Sequence, residues 1–303
     1  NVHQLINTFE SKEGLKKRQT PFFVNPTIRA SWQIKPDNVL SAMYSYNVSN
    51  SSLQQVNNSY LLTSSRSFSK GLGYFNQWES SSANLAYTTK HYLNRYQFSV
   101  GLDYSKQNDV IAYRSQLSQN SSLSEAFIIK GGDRIGARVN SHYILRPLKS
   151  TLKLDGNLGR VVYYNQFNNS GLRKNTLHSQ SFTFGWMSNF KSAFNFNFST
   201  EWNFSQVESD NTFKNTSKYS YLELNYVIND NFNVQVNTEH YNFGGVDEYN
   251  NYFFADVKSE YSFEKNKYTV GITGRNLFNT DVFKIYSISD IGYSINSYKL
   301  LPR

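Results

Sequence analysis

The side chains able to act chemically in this chain are few and scattered. Five histidines occur, His3, His91, His142, His178 and His240, and there is no cysteine. No two histidines have metal-pair spacing, and the lack of cysteine excludes disulfides and thiolate metal sites. No HExxH, GxSxG or phosphate-loop pattern is present. Asp256, Lys258 and Glu260 share one parity, as do Lys153 and Asp155. Paired carboxylates can do acid–base work, but on a strand face they read more simply as solvated charges or cross-strand ion pairs. Glu208 and Asp210 offer calcium only two carboxylates, fewer oxygens than that ion takes. Gly71/Gly73 and Gly131-Gly132 read as loop flexibility rather than a phosphate cradle. These residues point to no enzyme, no metal and no cofactor. The chemistry to be explained is that of whole faces.

Between Phe194 and Phe204 every even position except Thr200 is aromatic, and every odd position is polar or charged. Strand side chains alternate between the two faces of a sheet, so this stretch has one wall of rings and one of Asn, Ser and Glu. The pattern recurs along the chain. Tyr96, Phe98, Val100, Leu102 and Tyr104 alternate with Arg95, Gln97, Ser99, Gly101 and Asp103. Leu152, Leu154 and Leu158 alternate with Lys153, Asp155 and Asn157, and Phe182, Phe184 and Trp186 with Ser181, Thr183 and Gly185. The runs are longer than soluble strands, which are mostly about 5–6 residues, and suit a tilted transmembrane strand of about 9–11. The expected fold is all-β, an antiparallel up-and-down transmembrane barrel with one face to lipid and one to water.

Composition agrees. Phe and Tyr number 23 each while charged residues make up 17%, and the mean hydropathy is −0.58. No apolar run approaches the length of a helical span. The first 20 residues lack the apolar stretch of a signal peptide; an outer-membrane protein needs one, so it was cleaved or the chain is not the whole protein. The net charge of +9 is spread over polar faces. The one dense cluster, Lys16-Lys17-Arg18, is short, so nucleic acid is not an expected partner; outer-membrane lipid is, and a basic lumen or rim would attract anions or anionic lipopolysaccharide.

Strands are predicted at about 22–34, 39–47, 74–90, 95–106, 133–146, 151–164, 176–190, 193–206, 217–228, 231–242, 251–263 and 268–277. Residues 282–297 read as a further strand or a structured loop. Pro26 is awkward inside the first run. Short turns with ordinary turn residues, such as Lys35-Pro36-Asp37-Asn38, Pro147-Leu148-Lys149 and Asn229-Asp230-Asn231, alternate with connections that are often long. Residues 48–73 and 107–132 are the longest, and extra strand pairs are expected there. All short turns then lie at one end, as in outer-membrane barrels and unlike a Greek-key sandwich.

The most specific segment is Asn276-Leu277-Phe278-Asn279, followed about 25 residues later by Pro302-Arg303. It resembles the C-terminus of TonB-dependent outer-membrane receptors, where such a motif tops the penultimate strand and Pro-Arg opens the last. The resemblance implies a 22-stranded barrel with an N-terminal plug, of which 1–303 would be the C-terminal portion. It makes 22–34 the tenth strand and leaves the plug, the early strands and the last strand outside the chain. It also implies uptake of a glycan, peptide or metal chelate with energy from the TonB system. Two alternatives stand beside it: a barrel subunit of an assembly, secretion or uptake complex docking a surface lipoprotein, and a passive porin. Arg95, Asp103, Lys153, Glu201, Glu223 and Asp256 are the expected lumen-facing residues. Trp32, Trp186, Trp202, Tyr96, Tyr104, Tyr164 and Tyr226 are expected at lipid or in its girdles. Tyr60, Tyr74, Phe75, Trp78 and Tyr113 are candidate loop contacts for a ligand or partner.

Overall fold

A computed structural model describes residues 2–4, 7–10, 16–19, 22–91, 95–244, 249–263 and 267–300. Four short strands come first: β1 (Val2–Gln4), β2 (Asn7–Glu10), β3 (Lys16–Gln19) and β4 (Phe22–Val24). β1 pairs with β4 and β2 with β3. Then follow β5 (Thr27–Lys35), β6 (Asn38–Asn50), the one-turn α1 (Leu53–Val56), β7 (Leu61–Ser64), β8 (Ser67–Lys70), β9 (Gln77–His91), β10 (Tyr96–Leu117) and β11 (Ser122–Leu145). They are succeeded by β12 (Ser150–Phe167), β13 (Arg173–Ser188), β14 (Phe194–Glu208), β15 (Thr212–Asn229), β16 (Phe232–Gly244), β17 (Tyr249–Phe263) and β18 (Tyr268–Gly274). A last hairpin is made by β19 (Val282–Ile288) and β20 (Tyr293–Lys299).

β5, β6 and β9 to β18 form one antiparallel up-and-down wall in chain order. The twelve predicted runs are its twelve strands. The first is shortened where Asn25-Pro26 separates β4 from β5, and the Pro26 carbonyl accepts from the Tyr46 N–H at 3.1 Å. A residue without an N–H is thus placed at a strand end. Short turns follow β5, β11, β13 and β15; at the opposite end the strands themselves run on, so that only the β6–β9 connection, which holds α1, β7 and β8, is long. Pro36 and Asp37 bridge β5 and β6, and Lys149, at φ 42°, donates its N–H to Arg146 O at 3.1 Å.

Register fixes the two faces. Leu85, Leu102 and Ala137 are successive partners across β9, β10 and β11, and Trp186, Phe198 and Leu222 across β13, β14 and β15. Directly paired residues share a face, so the even positions of β14 join a continuous apolar sheet surface. All seven expected lipid or girdle aromatics lie on it by register. Among the described residues the buried apolar side chains are only Val56, Ala112, Val162, Val207 and Ala255. Exposed apolar ones include Ile272 at 74%, Ile28 at 69% and Leu102 at 54%. A chain of this length in water buries most of its apolar surface. Here that surface faces outward and requires an apolar solvent.

β10 and β11 run past the wall and their partners change there. At Gln107 and below, β10 lies between β9 and β11. Above, Tyr113–Ser115 pair in parallel with Asn165–Phe167 of β12, while Ser122–Glu125 of β11 pair in parallel with Ser67–Lys70 of β8. The order β9-β10-β11-β12 has become β8-β11-β10-β12, so the two-stranded ribbon has turned half over. Two-stranded ribbons twist most strongly, and Gly131, at φ +91°, supplies a backbone angle that other residues rarely adopt. The turn is where pairing skips Asn108 and Gly131. Above it Ala112 is buried, as is Val162 of β12. Residues 107–132, expected as a loop with an extra strand pair, are thus an extension of the wall's own hairpin, and Gly131-Gly132 is a pivot within it.

Candidate functional site

The polar face of the wall carries the charged groups. On β14, β15 and β16 a carboxylate is held by a neutral donor two residues along the same strand. Asn203 Nδ2 donates to Glu201 at 2.7 Å, Asn225 Nδ2 to Glu223 at 2.6 Å, and the Tyr241 hydroxyl to Glu239 at 2.8 Å. On β17 Lys258 pairs with Glu260 at 2.8 Å. Each side chain is held along its strand rather than across the space in front of it. Such half-exposed contacts add little stability individually, about 0.5–1 kcal/mol. Their effect is to fix where the charges point.

Glu201, Tyr219, Tyr241 and Tyr252 are successive partners across four strands. The Tyr219 and Tyr241 rings lie 4.7 Å apart. The β10–β12 part is different. Asp103 pairs with Gly136 and Arg138 with Gly101. A Cβ on Gly136 would lie 2.7 Å from the Asp103 carboxylate, so the missing side chain gives that carboxylate its place. Asp155 accepts from Asn140 Nδ2 at 2.7 Å. A recess of about 440 Å³ lies here, lined by Asp103, Arg134, Arg138, Asn157, Ser181 and Asn203 among others.

Asp103, Lys153, Glu201, Glu223 and Asp256 therefore stand on the polar face by register. Arg95 does not stand on a strand: it lies in the turn before β10 with φ 57°, and its carbonyl accepts from Ile144 N–H at 3.1 Å. No group of three or more His, Cys, Asp or Glu among the described residues can hold a metal. Asp210, one of the two carboxylates considered for calcium, is instead paired with Arg173 at 2.9 Å.

The candidate loop contacts separate. Tyr60 donates its hydroxyl to Glu125, and Lys70 lies over its ring at 5.6 Å and 3.8 Å from Glu125. The Glu125 carboxylate, chiefly through that hydrogen bond, holds the Tyr60 phenol above its ordinary value. This cluster ties the β7–β8 ribbon to β11. Trp78 lies on β9 opposite Ser49 rather than in a loop. Tyr113 is exposed, on the projecting ribbon.

The Asn276–Asn279 motif is a turn that docks β18 on β17. Asn276 and Asn279 have φ 49° and 53°, angles that asparagine tolerates better than most residues. Asn276 Nδ2 donates to Thr280 O at 2.8 Å and its Oδ1 accepts from Thr280 N–H at 3.0 Å. Its own N–H donates to Asp256 at 2.7 Å, and Leu277 N–H to Ala255 O at 2.8 Å. Phe278 packs edge-on to Phe253 at 5.1 Å. Pro302 and Arg303 lie outside the described residues.

Sequence reasoning missed the β19–β20 hairpin's docking. Phe283 enters a nest of rings on the polar face: Tyr252 at 4.9 Å, Tyr241 at 5.2 Å, Phe243 at 5.7 Å and Phe254 at 6.0 Å. At the hairpin's tip Asp290 pairs with Arg173 at 3.2 Å and accepts from Asn165 at 2.8 Å. Phe213 meets Tyr293 edge-on at 5.3 Å. Aromatics at odd positions of β16 and of β15, against the parity of the oily face, were the available signal.

These faces, turns and ribbons were compared with known proteins. The family described as outer membrane protein beta-barrel family matches residues 3–303. The chain belongs to that family. It is a protein of the Gram-negative outer membrane. No curated protein matches. Among solved structures it is similar to the ferric yersiniabactin uptake receptor FyuA from Yersinia pestis, at TM-score 0.48 and 10% identity, over 99% of this chain and 50% of that one. It is similar to the ferripyoverdine receptor of Pseudomonas aeruginosa at TM-score 0.47 and 10% identity, over 88% and 41%. A Pseudomonas aeruginosa FadL homologue gives TM-score 0.34 and 7% identity, over 93% and 76%. The chain thus spans about half of the FyuA chain and less of the ferripyoverdine receptor.

Proposed function

We propose that this chain is the C-terminal portion of a larger outer-membrane receptor barrel that takes up a nutrient with energy delivered through the TonB system. The observation that carries the proposal is the open wall. Its edges, β5 and β18, have no further ladder partner among the described residues, and both expose apolar side chains such as Trp32 and Ile272. Unpaired backbone groups at membrane depth cost several kcal/mol each, which supports a barrel that continues beyond these edges. A barrel wider than twelve strands is not filled by its own side chains. The polar face then lines a lumen, with Asp103, Lys153, Glu201, Glu223 and Asp256 on it. The Asn276–Asn279 turn supports the receptor reading, because it tops β18 as the motif tops a penultimate strand in the TonB-dependent family. The nutrient classes are a glycan, a peptide or a metal chelate.

The test uses the full-length protein. Cells carrying it are given labelled glycans, peptides and ferric chelates, and uptake is measured before and after collapse of the proton-motive force. Uptake that stops supports the reading. Uptake that persists, with steady conductance in planar bilayers, makes the protein a passive porin. A second reading, docking of a surface lipoprotein, is favoured by apolar side chains exposed beyond the wall, Leu53 at 71% and Leu62 at 66%. Cross-linking on intact cells, with Leu62→Asp as the control that removes the contact, tests it.

A further inference from the structure

We infer that the β19–β20 hairpin is a hinged roof over the polar face, held shut by an aromatic clasp near its base and an arginine latch at its tip. The inference rests on the barrel reading above only in calling that face a lumen. The hairpin leaves the wall at the Asn276–Thr280 turn and crosses toward β12 and β13 instead of extending away from the sheet. Its base is closed by Leu300 N–H donating to Asp281 O at 2.8 Å. Phe283 and Leu300 form one side of an open recess of about 420 Å³ whose other walls include Asn237, Glu239, Tyr241, Phe254 and Asp256.

The two attachments differ in kind. The clasp is Phe283 among four rings, reinforced by Lys284 N–H donating to the Tyr252 hydroxyl at 3.1 Å. The latch is Arg173, whose side chain is only 9% exposed. Its guanidinium spans Asp210 at 2.9 Å, Ser209 Oγ at 2.6 Å, the Asp290 carboxylate at 3.2 Å and the Asp290 carbonyl at 2.8 Å. Asn175, fully buried, donates to Asn165, which donates on to Asp290. Only Asp290 belongs to the hairpin. If the hairpin lifts, Arg173 keeps Asp210 and Ser209, so no buried cation is left without an anion. That retained pair keeps the cost of opening modest. Between clasp and latch the two strands pair with each other along their length, which lets the hairpin move as one body; lifting it also releases the Tyr286 hydroxyl from Asn250 Nδ2 at 2.5 Å and Tyr293 from Phe213.

These 303 residues contain no cysteine, and any cysteine elsewhere in the protein is replaced by serine for the test. In the full-length protein on intact cells, Asn237→Cys reports on the recess and Ser99→Cys on a distant part of the same face. A membrane-impermeant maleimide is added from outside. Arg173→Ala and Phe283→Ala are each expected to speed labelling at position 237 by about tenfold or more, the effect of about 1.4 kcal/mol on an opening equilibrium, and to leave position 99 unchanged. Equal acceleration at both positions, or none at either, overturns the roof. Hydrogen exchange gives a second readout that does not depend on labelling. Amides of 282–299 should exchange together, faster than those of 217–228, and faster still in Arg173→Ala. Exchange as slow as the wall's overturns the roof too. Neither readout involves solute uptake or energy coupling, so failure here leaves the receptor reading standing, and the reverse holds as well.

Discussion

The strand β14 and the hairpin β19–β20 both place rings on a sheet surface, with opposite results. On β14, Phe194 and Phe204 remain about 40% exposed on the outer face, and Phe194 meets Phe196 of its own strand at 6.4 Å. Phe283 meets four rings and closes them off on the polar face. In the first case rings gain by meeting lipid, in the second by meeting each other. Aromatic content alone therefore does not say which face meets the membrane. Parity, carried across strands by register, does.

The comparison is broken hardest by charging the outer face. Leu102→Arg places a cation near the middle of the apolar surface and is expected to cost about 2–4 kcal/mol, whereas Asp103→Asn, the next residue on the polar face, should cost under about 0.5 kcal/mol. Denaturant titration of the full-length protein in lipid vesicles reads both, and equal costs would abolish the assignment of faces. Phe283→Ala is expected to weaken the hairpin's local stability by about 2–3 kcal/mol, read as faster exchange at 282–299 with little change in global unfolding. Asn276→Ala removes both side-chain bonds to Thr280 at a positive φ. A loss of about 1–2 kcal/mol is expected, read as faster exchange of the amides of 268–280 with the other wall strands unchanged. Gly131→Ala is the smallest, about 1 kcal/mol from the strained angle. Exchange of the amides of 110–117 should show it, and the wall below should not.

Period-two patterning made the wall legible, because lipid on one side and water on the other impose the same alternation on every strand. All twelve runs are present, and the predicted short turns fall at one end as their Pro, Asn and Asp residues indicate. What lay beyond the wall was less legible. Above the lipid there is no apolar solvent to enforce parity, so residues 107–132 read as a loop with an extra strand pair, although all but the turn at 118–121 continue β10 and β11. The exchange of partners among β8, β10, β11 and β12 depends on parallel pairing of segments far apart in the chain, which no local pattern encodes. The latch was hidden for the same reason. Arg173, Asp210 and Asp290 are ordinary charges in sequence and become a cluster only when the hairpin folds back. Arg95 was misplaced by one position, since a strand boundary and a turn residue look alike to an alternation rule.

The half-turn of the β10–β11 ribbon has a consequence for assembly. Below Gly131 neighbouring strands can be added one after another, each on the edge left by the last. Above it the β10–β12 pairing requires β12 to be in place already, and the swapped order then keeps β10 from being withdrawn sideways without first releasing β12. The half-turned ribbon therefore ties β8 and β12 together across the top of β10 and β11. It acts as a knotless fastener, joining strands that the wall beneath it keeps apart.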